Sequence, residues 1–321
     1  MAMNDAMNAT NSTADGVTQA AGSATRESQD IPTLVIDTSF GATVAVVGHE
    51  PHYEPDSRSH VEKLEPAISH VVEQAGLTPS DIRRIVVGTG PAPFTGLRAG
   101  IVAARAMAFA TGAELLGQNV LEPQAAWLAQ GQLPDGRRHV TLAVNDARRK
   151  QLYYALYEMV PGDPVPHVLI DMDIASAGAI AHKVNEWLRS RDTPEGGEIV
   201  VDVCGTGAKR YFSSFQGIVA LGDLHDDSCL HVAGVQGPRI FAQLAAAHHA
   251  AGDPCSSEPL YLRRPDVSEP APLKHVTEEP HHAALMERIA QAEAAGAAHE
   301  SASQNASQDA SHGASHGEVR R

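Results

Sequence analysis

Along residues 31–267 the spacing of apolar positions changes between two periods and predicts strands and helices. Short apolar runs bounded by Gly, Asp or Ser are typical of strands, whereas apolar residues at every third or fourth position are typical of helices. In the first half these patterns predict a hairpin of strands at 34–36 and 43–47, a helix at 60–75, a strand at 85–87 and a helix at 97–110. Thr95 is the expected N-cap of the last helix, and Gly112 is expected to end it.

The second half repeats this order. Apolar strands at 142–144 and 152–157 flank the polar link 145–151 and predict a second hairpin. A strand at 198–203 and a helix at 235–248 follow. Strand pairs followed by helices, occurring twice, predict a two-lobed α/β protein.

The two ends of the chain differ from its middle in composition. Residues 1–30 are rich in Ala, Asn, Thr, Ser and Asp without periodicity, and residues 268–321 end in near-repeats of Ser, His and Gly. Such segments cannot bury enough apolar surface to offset the entropy of ordering. We therefore predict a disordered leader at 1–30, an N-terminal lobe at 31–135, a C-terminal lobe at 136–267 and a low-complexity tail at 268–321. Within the tail, residues 281–295 could form a short helix.

Composition narrows the class of protein. The 321 residues include 24 Lys and Arg against 39 Asp and Glu, which gives a net charge of −15. A protein this acidic is a poor candidate for holding nucleic acid or an anionic membrane on its own. The three cysteines are far apart, which argues against a disulfide scaffold or a structural zinc site, and neither a secretory signal nor a membrane span is evident. We expect a soluble cytoplasmic protein.

Three short motifs could bind an anion or a nucleotide. Residues 88–98 (GTGPAPFTGLR) join a strand to a helix but lack the lysine of a phosphate-binding loop, and Pro91 and Pro93 remove two backbone donors. A structural turn is therefore favoured there. Weaker nucleotide-like motifs are Asp37-Thr38-Ser39 at a hairpin tip and Gly205-Thr206-Gly207 after a strand. If the last two motifs face one cleft, they support a second hypothesis, an ATP-dependent phosphotransferase or ATPase.

No complete catalytic constellation is evident. His60 has no second histidine one helical turn away, and the serines lack a G-x-S-x-G motif. Cys204 lies in an apolar strand and is expected in the core. The basic link 146–150 is either a solvated turn or a docking point for an acidic partner. We predict neither a catalytic residue nor a metal site in this chain.

The helix at 97–110 has small residues on adjoining faces, beside larger groups such as Met107 and Phe109. Small residues let another helix approach closely, either within the same lobe or from a partner. Together with the helix at 60–75, this helix could present one flat apolar face. Such a face can pair with its equivalent as a four-helix interface.

Five segments in a fixed order carry a resemblance to a known family: LVIDTS, HVEKLEPAI, VVGTGPAPFTGLRAGI, VNDARRKQLYYALYE and PLYLRRPDV. Through them, residues 31–267 resemble the bacterial TsaB (YeaZ) family. The resemblance implies the actin-like, sugar-kinase-like fold of two α/β lobes. Ala92 and Pro93 depart from the family's usual GPGSFTG, and Lys150 replaces its usual glycine in DARRGE, so local differences are expected at both sites.

The resemblance also implies a function and partners. The family takes part in making N6-threonylcarbamoyladenosine at position 37 of tRNAs that read ANN codons. TsaC forms threonylcarbamoyl-AMP, TsaD transfers the group to tRNA, TsaE supplies ATPase activity, and TsaB is a non-catalytic scaffold for TsaD. A homodimer is the alternative state of the isolated subunit. The expected contact with tRNA is only indirect, and ATP, Mg²⁺ and metal are expected on the partner subunits, with no cofactor in this chain.

The family's interface with TsaD matches the two N-lobe helices of this sequence. The residues expected to contact TsaD are His60, Val61, Leu64, Ile68, Val71, Leu97, Arg98, Gly100, Ile101, Ala104, Arg105 and Ala108.

Overall fold

The computed structural model describes residues 31–56, 60–131, 135–191, 198–263 and 286–291. The chain divides into two compact units, one ending at Arg264 and one beginning at Pro265. In the second unit, residues 286–291 are helical, within the short helix predicted for the tail. The predicted leader and the rest of the predicted tail lie outside the described residues.

The first half of the larger unit contains a five-stranded sheet. Its elements are β1 (Thr33–Asp37), β2 (Ala42–Val46), β3 (His52–Glu54), α1 (His60–Gln74), β4 (Arg84–Gly88), α2 (Phe94–Thr111), β5 (Glu114–Gln118) and α3 (Glu122–Gly131). The strand order is β3-β2-β1-β4-β5. β1 pairs antiparallel with β2, as the predicted hairpin requires, and parallel with β4.

The second half contains another five-stranded sheet. Its elements are β6 (Arg138–Asp146), β7 (Leu152–Glu158), β8 (His167–Ala175), α4 (Ala177–Arg189), β9 (Ile199–Gly205), α5 (Phe212–Phe215), β10 (Leu221–Asp226), α6 (Cys229–Val232) and α7 (Gln236–Ala251). The strand order is β10-β9-β6-β7-β8. β6 and β7 form the second predicted hairpin, and β6 pairs parallel with β9.

The two sheets have the same topology. In each, the first strand of the hairpin is central, the next two strands extend the sheet antiparallel on one side, and the last two add in parallel on the other. Parallel neighbours need a helical crossover, which α1 and α2 supply in the first half and α4 in the second. This duplication confirms the predicted two-lobed α/β arrangement.

Some helices pack on the sheet that belongs to the other half of the chain. α1 and α2 cover one face of the first sheet, but the other face is covered by α6 and α7, whose Leu230 and Phe241 pack on Val35 and Val86. α3 instead packs on the second sheet. α3 and α7 also contact each other, so they lie between the sheets. A single boundary near residue 135 does not capture this exchange of helices.

The predicted helix cap is wrong by two residues. α2 begins at Phe94, and Pro93, rather than Thr95, occupies the capping position. Proline needs no hydrogen-bond partner for its nitrogen, and its φ of −60° leads directly into the helix. The predicted end is confirmed, because Gly112 caps α2 with φ of 73°.

Candidate functional site

Most of the apolar residues predicted to contact a partner lie inside the first lobe. The predicted interface residues that are less than 5% exposed are Leu64, Val71, Leu97, Ile101 and Ala104. They pack on the β1 and β4 side chains of the first core. A partner cannot reach them in this fold, which contradicts the prediction that these five residues contact TsaD.

Gly100 is buried for a different reason. A Cβ at this position would lie 2.3 Å from Thr38 Oγ1, because α2 crosses directly over the end of β1. Thr38 Oγ1 also donates to Gly96 O at 2.8 Å. The small residues on this side of α2 therefore serve close packing within the lobe.

The solvent side of α2 carries an apolar stripe that was not predicted to be the contact surface. It comprises Val102, Ala106, Phe109 and Ala110, which share one helical face at spacings of four, seven and eight residues. Phe109 is 93% exposed and Val102 is 64% exposed. We call these four residues the α2 stripe. Exposed large apolar side chains in one row are typical of an interaction surface.

The remaining predicted interface residues vary in position. Ile68 and Ala108 are partly buried against the first core. The side chains of His60 and Val61 lie outside the described residues.

Arg98 and Arg105 bind a segment of this chain. Residues 254–263, here called the strap, run beside α2 and β5. Arg105 Nη2 donates to Glu258 Oε1 at 2.6 Å and to the Ser257 carbonyl at 3.1 Å. Arg98 Nε donates to the Tyr261 hydroxyl at 2.6 Å. The two arginines thus fasten the strap to the exposed side of α2.

The GTGPAPFTGLR element is a structural turn, as predicted. The Thr89 N–H donates to the Gln118 carbonyl at 2.9 Å, and the Leu260 N–H of the strap donates to the Thr89 carbonyl at 2.8 Å. The Val120 N–H donates to the Gly90 carbonyl at 3.0 Å. The polar backbone groups of this turn therefore bond to β5, to Val120 just before α3, and to the strap.

Asp37, Thr38 and Ser39 are buried at the end of β1, each less than 10% exposed. Asp37 Oδ1 accepts hydrogen bonds from Ser39 Oγ at 2.6 Å and from Ser39 N at 3.1 Å. Burial raises the pKa of the Asp37 carboxyl, although the Ser39 bonds oppose this shift. The carboxyl also lies against β4, where a Cβ at Gly88 would be 2.2 Å from Oδ1. In this fold, the motif's polar atoms face the protein interior.

A histidine between the two halves connects both nucleotide-like motifs. His231 Nδ1 lies 2.5 Å from Asp227 Oδ1, and Tyr53 stacks on the imidazole with ring centroids 4.0 Å apart. The electrostatic interaction with His231 lowers the pKa of the Asp37 carboxyl, in opposition to the effect of burial. The Asp227 N–H in turn donates to the Gly205 carbonyl at 3.2 Å. The structure thus brings the two motifs into one region, as the second hypothesis requires.

Gly205 and Thr206 leave no space for a ligand at their own positions. A Cβ at Gly205 would lie 1.9 Å from the Val144 carbonyl oxygen, and Gly205 has φ of 131°. Asn145 Oδ1 accepts hydrogen bonds from Thr206 Oγ1 at 3.0 Å and from Thr206 N at 3.2 Å. Gly207, with φ of 100°, faces Leu152 and Asp146. These glycines permit close packing of β9 against β6, so the motif is structural.

A buried polar network surrounds α3 and was not predicted from the sequence. Glu122 Oε2 accepts from Gln118 Nε2 at 2.6 Å, and Glu122 Oε1 lies 2.8 Å from His248 Nε2. His248 Nδ1 lies 2.7 Å from Asp253 Oδ2. The Glu122 hydrogen bond raises the pKa of His248 to about 9. This network ties β5, α3 and α7 together, and no motif in the sequence marks it.

A cavity of about 750 Å³ lies near the start of β6 and is lined by Trp127, His139, Asp202 and His225 among others. His139 Nδ1 lies 2.7 Å from Asp202 Oδ2, and the Asp223 N–H donates to Asp202 Oδ1 at 2.8 Å. These polar groups are paired with one another. Within the described residues, no group of three or more His, Cys, Asp or Glu is arranged to hold a metal ion.

Cys204 is fully buried, as predicted, and burial raises the pKa of its thiol. A thiol that stays protonated is a poor nucleophile, which agrees with a core role.

None of the described helices combines the length and hydropathy that crossing a bilayer needs.

A protein-family model matches part of the chain. The family described as "TsaD: tRNA N6-adenosine threonylcarbamoyltransferase" matches residues 53–173. An uncharacterized protein of Mycobacterium tuberculosis is 38% identical over 128 residues, which cover 39% of this chain and 56% of that protein. The tRNA threonylcarbamoyladenosine biosynthesis protein TsaB of Escherichia coli is 29% identical over 131 residues, which cover 39% of this chain and 54% of that protein. The chain spans about half the length of the curated relatives it matches.

A solved structure shares the fold. YeaZ from Pseudomonas aeruginosa superposes with a TM-score of 0.51 and 23% sequence identity, covering 72% of this chain and 99% of that chain. At this identity the match shows the fold alone, and it confirms the fold class predicted from the five sequence segments.

Proposed function

With the chain assigned to the TsaB (YeaZ) family, we propose that it is a non-catalytic subunit in the synthesis of N6-threonylcarbamoyladenosine on tRNA, and that it binds and activates TsaD. The observation that carries the proposal is the α2 stripe. Phe109 is almost fully exposed on a helix whose opposite side is core. A partner that covers this stripe would remove the apolar side chains from water.

In this proposal the interface remains on the two N-lobe helices, α1 and α2, but its residues differ from those predicted. The α2 stripe replaces the buried set as the centre of the contact surface, and exposed residues of α1 complete it. A specific interface of this kind buries on the order of 1,200–2,000 Å² in total. The same surface would serve a homodimer of the isolated subunit, so a homodimer and the TsaD complex would exclude each other.

The buried state of the nucleotide-like motifs supports a role without catalysis. Asp37 and Ser39 bond to each other, and Thr206 bonds to Asn145, so these side chains are engaged within the protein. We therefore place ATP, Mg²⁺ and any catalytic metal on the partner subunits. TsaE joins the assembly in this proposal through the TsaD complex.

A charge placed on the α2 stripe tests the interface. We expect Phe109→Asp to prevent assembly with TsaD from the same organism, because an aspartate at the centre of an apolar contact would be buried without a partner. Light scattering coupled to size-exclusion chromatography measures the mass of the complex. Circular dichroism should show an unchanged fold, since the side chain is exposed in the isolated chain.

Val219→Asp is the matched control, because Val219 is 86% exposed but lies in the second half, before β10. This variant should assemble normally. Ile101→Asp, in contrast, should unfold the first lobe, since Ile101 is only 3% exposed. A Phe109→Asp variant that still forms a complex of full mass would show that the α2 stripe is not the interface.

An ATP-dependent phosphotransferase or ATPase is the second candidate, because the structure brings Asp37 and Gly205 into one region through His231 and Asp227. On the scaffold proposal, we expect isothermal titration of the isolated full chain with ATP and Mg²⁺ to give no binding at micromolar concentrations. Steady hydrolysis that Asp37→Asn abolishes would favour the phosphotransferase.

A further inference from the structure

The turn between β6 and β7 gathers cations on an otherwise acidic protein. Arg148, Arg149 and Lys150 are exposed at its tip. Arg210 Nη1 donates to Asp146 Oδ2 at 3.0 Å, and Arg263 Nη2 donates to Gln151 Oε1, so both guanidinium groups border the same turn. We call these five residues the basic patch. The whole chain has a net charge of −15, so the positive charge of this patch is opposite in sign to that of the protein as a whole.

The backbone of the turn is strained. Arg148, Arg149 and Lys150 have φ of 65°, 53° and 60°, the left-handed region that residues with a side chain rarely adopt. Hydrogen bonds fix this conformation, from Ala147 N to the Gln151 carbonyl at 2.9 Å and from Gln151 N to the Arg148 carbonyl at 3.0 Å. Glycine would relieve the strain at any of the three positions. Strain that is kept in order to present three adjacent cations indicates a functional surface.

An aromatic ring accompanies the cations. Phe212 is 43% exposed and follows Arg210 by two residues, and the Arg210 guanidinium lies 5.4 Å from the centre of the Tyr211 ring. Arginines that pair with phosphates and an exposed ring on which a base can stack are the combination used by proteins that bind single-stranded nucleic acid.

We propose that the basic patch binds the phosphodiester backbone of an RNA, in a region where bases are unpaired. This inference rests on the function proposed above, which makes the RNA the substrate tRNA. TsaD holds most of this tRNA, and the basic patch contacts it directly. This proposal departs from the expectation that the chain meets tRNA only indirectly. The net charge of −15 means that the patch adds to binding by the complex and is weak on its own.

An acidic peptide is a less suitable occupant. Peptides commonly bind by adding a strand to a sheet edge or by filling an apolar groove. β6 lies between β9 and β7, and β7 lies between β6 and β8, so the turn joins two interior strands without a free edge.

The triple variant Arg148→Asn, Arg149→Asn, Lys150→Asn tests the proposal. Asparagine tolerates the left-handed region better than most residues, so the turn keeps its conformation while three charges are removed. Fluorescence anisotropy of a labelled, unmodified tRNA that reads ANN codons is measured with the full chain in complex with TsaD and with the full chain alone. We expect roughly tenfold weaker binding by the complex at moderate salt, and a slope of log K against log salt that is smaller by about 2, since each lost phosphate contact removes about 0.7–0.9.

The matched control removes three cations elsewhere, by Arg83→Asn, Arg189→Asn and Arg191→Asn. Arg83 precedes β4, and the other two lie at the end of α4. Unchanged affinity of the first triple variant, or an equal loss in both, would overturn the proposal. A polyglutamate peptide provides a further test. The proposal would be overturned if the wild-type chain bound this peptide and the first triple variant lost that binding but kept its affinity for tRNA. Failure of the wild-type chain to assemble with TsaD would contradict the proposed function instead, and the tRNA comparison on the chain alone would still decide this proposal.

Discussion

At the scale of single residues, the buried carboxyl of Glu122 organises the contact between the lobes. It accepts hydrogen bonds from Gln118 Nε2 and Asn119 Nδ2 through one oxygen and contacts His248 through the other. A buried carboxylate is stable only when such partners compensate for its lost hydration. Its place in the sequence, within the unremarkable segment QNVLEPQ, gave no indication of this role.

The pH dependence of stability should report the His248 contact. Its pKa is raised from 6.5 to about 9 by Glu122, so the interaction stabilises the fold fully below pH 6.5 and is lost as the pH rises through about 9. We expect His248→Gln to lower the free energy of unfolding by about 1–2 kcal/mol at pH 6, after allowance for solvent screening, and by much less at pH 10. Guanidinium denaturation across this range measures the difference. A deficit that does not change with pH would rule out the charged contact.

At the scale of secondary-structure elements, periodicity located α1 and α2 but did not settle which side of α2 faces inward. The helix contains ten Ala, Gly, Val or Ile residues around its circumference, so its small residues fit either a core or a partner. Only the sheet beneath it decides that Ile101 is covered and Val102 is exposed. Elements with weak apolar patterns, such as β3 with its half-buried residues and β8 with several exposed ones, escaped prediction for a related reason.

The packing of α2 on β1 should be sensitive to one methyl group. We expect Gly100→Ala to lower the free energy of unfolding by about 1–3 kcal/mol, because its Cβ would lie 2.3 Å from Thr38 Oγ1. Adding Thr38→Ala should recover part of the loss, since it removes the clashing atom. Thermal denaturation of the single and double variants measures this coupling. Gly100→Ala with wild-type stability would instead mean that position 100 has free space around it.

At the scale of the whole molecule, the two hairpins and the two-lobed α/β class could be predicted, because local apolar patterns specify them, whereas the full strand order includes strands that the sequence did not reveal. The exchange of α3 and α7 between the sheets could not be predicted either. The residues that fix this exchange, such as Phe241 against Val86 and Ala125 against Ala143, are apolar at both partners and would suit packing within either half. Burial of Asp37 and Thr206 between the halves follows from that exchange and removes both motifs from solvent.

Formation of N6-threonylcarbamoyladenosine on tRNA tests the central proposal most directly. The modified nucleoside is quantified by mass spectrometry in a reconstituted reaction that contains TsaC, TsaD, TsaE and the full chain. We predict that product formation requires the chain, that Phe109→Asp abolishes it, and that Asp37→Asn preserves it, because the chain contributes a surface and no chemistry. Loss of product with Asp37→Asn in a folded chain, together with full product from Phe109→Asp, would contradict the account.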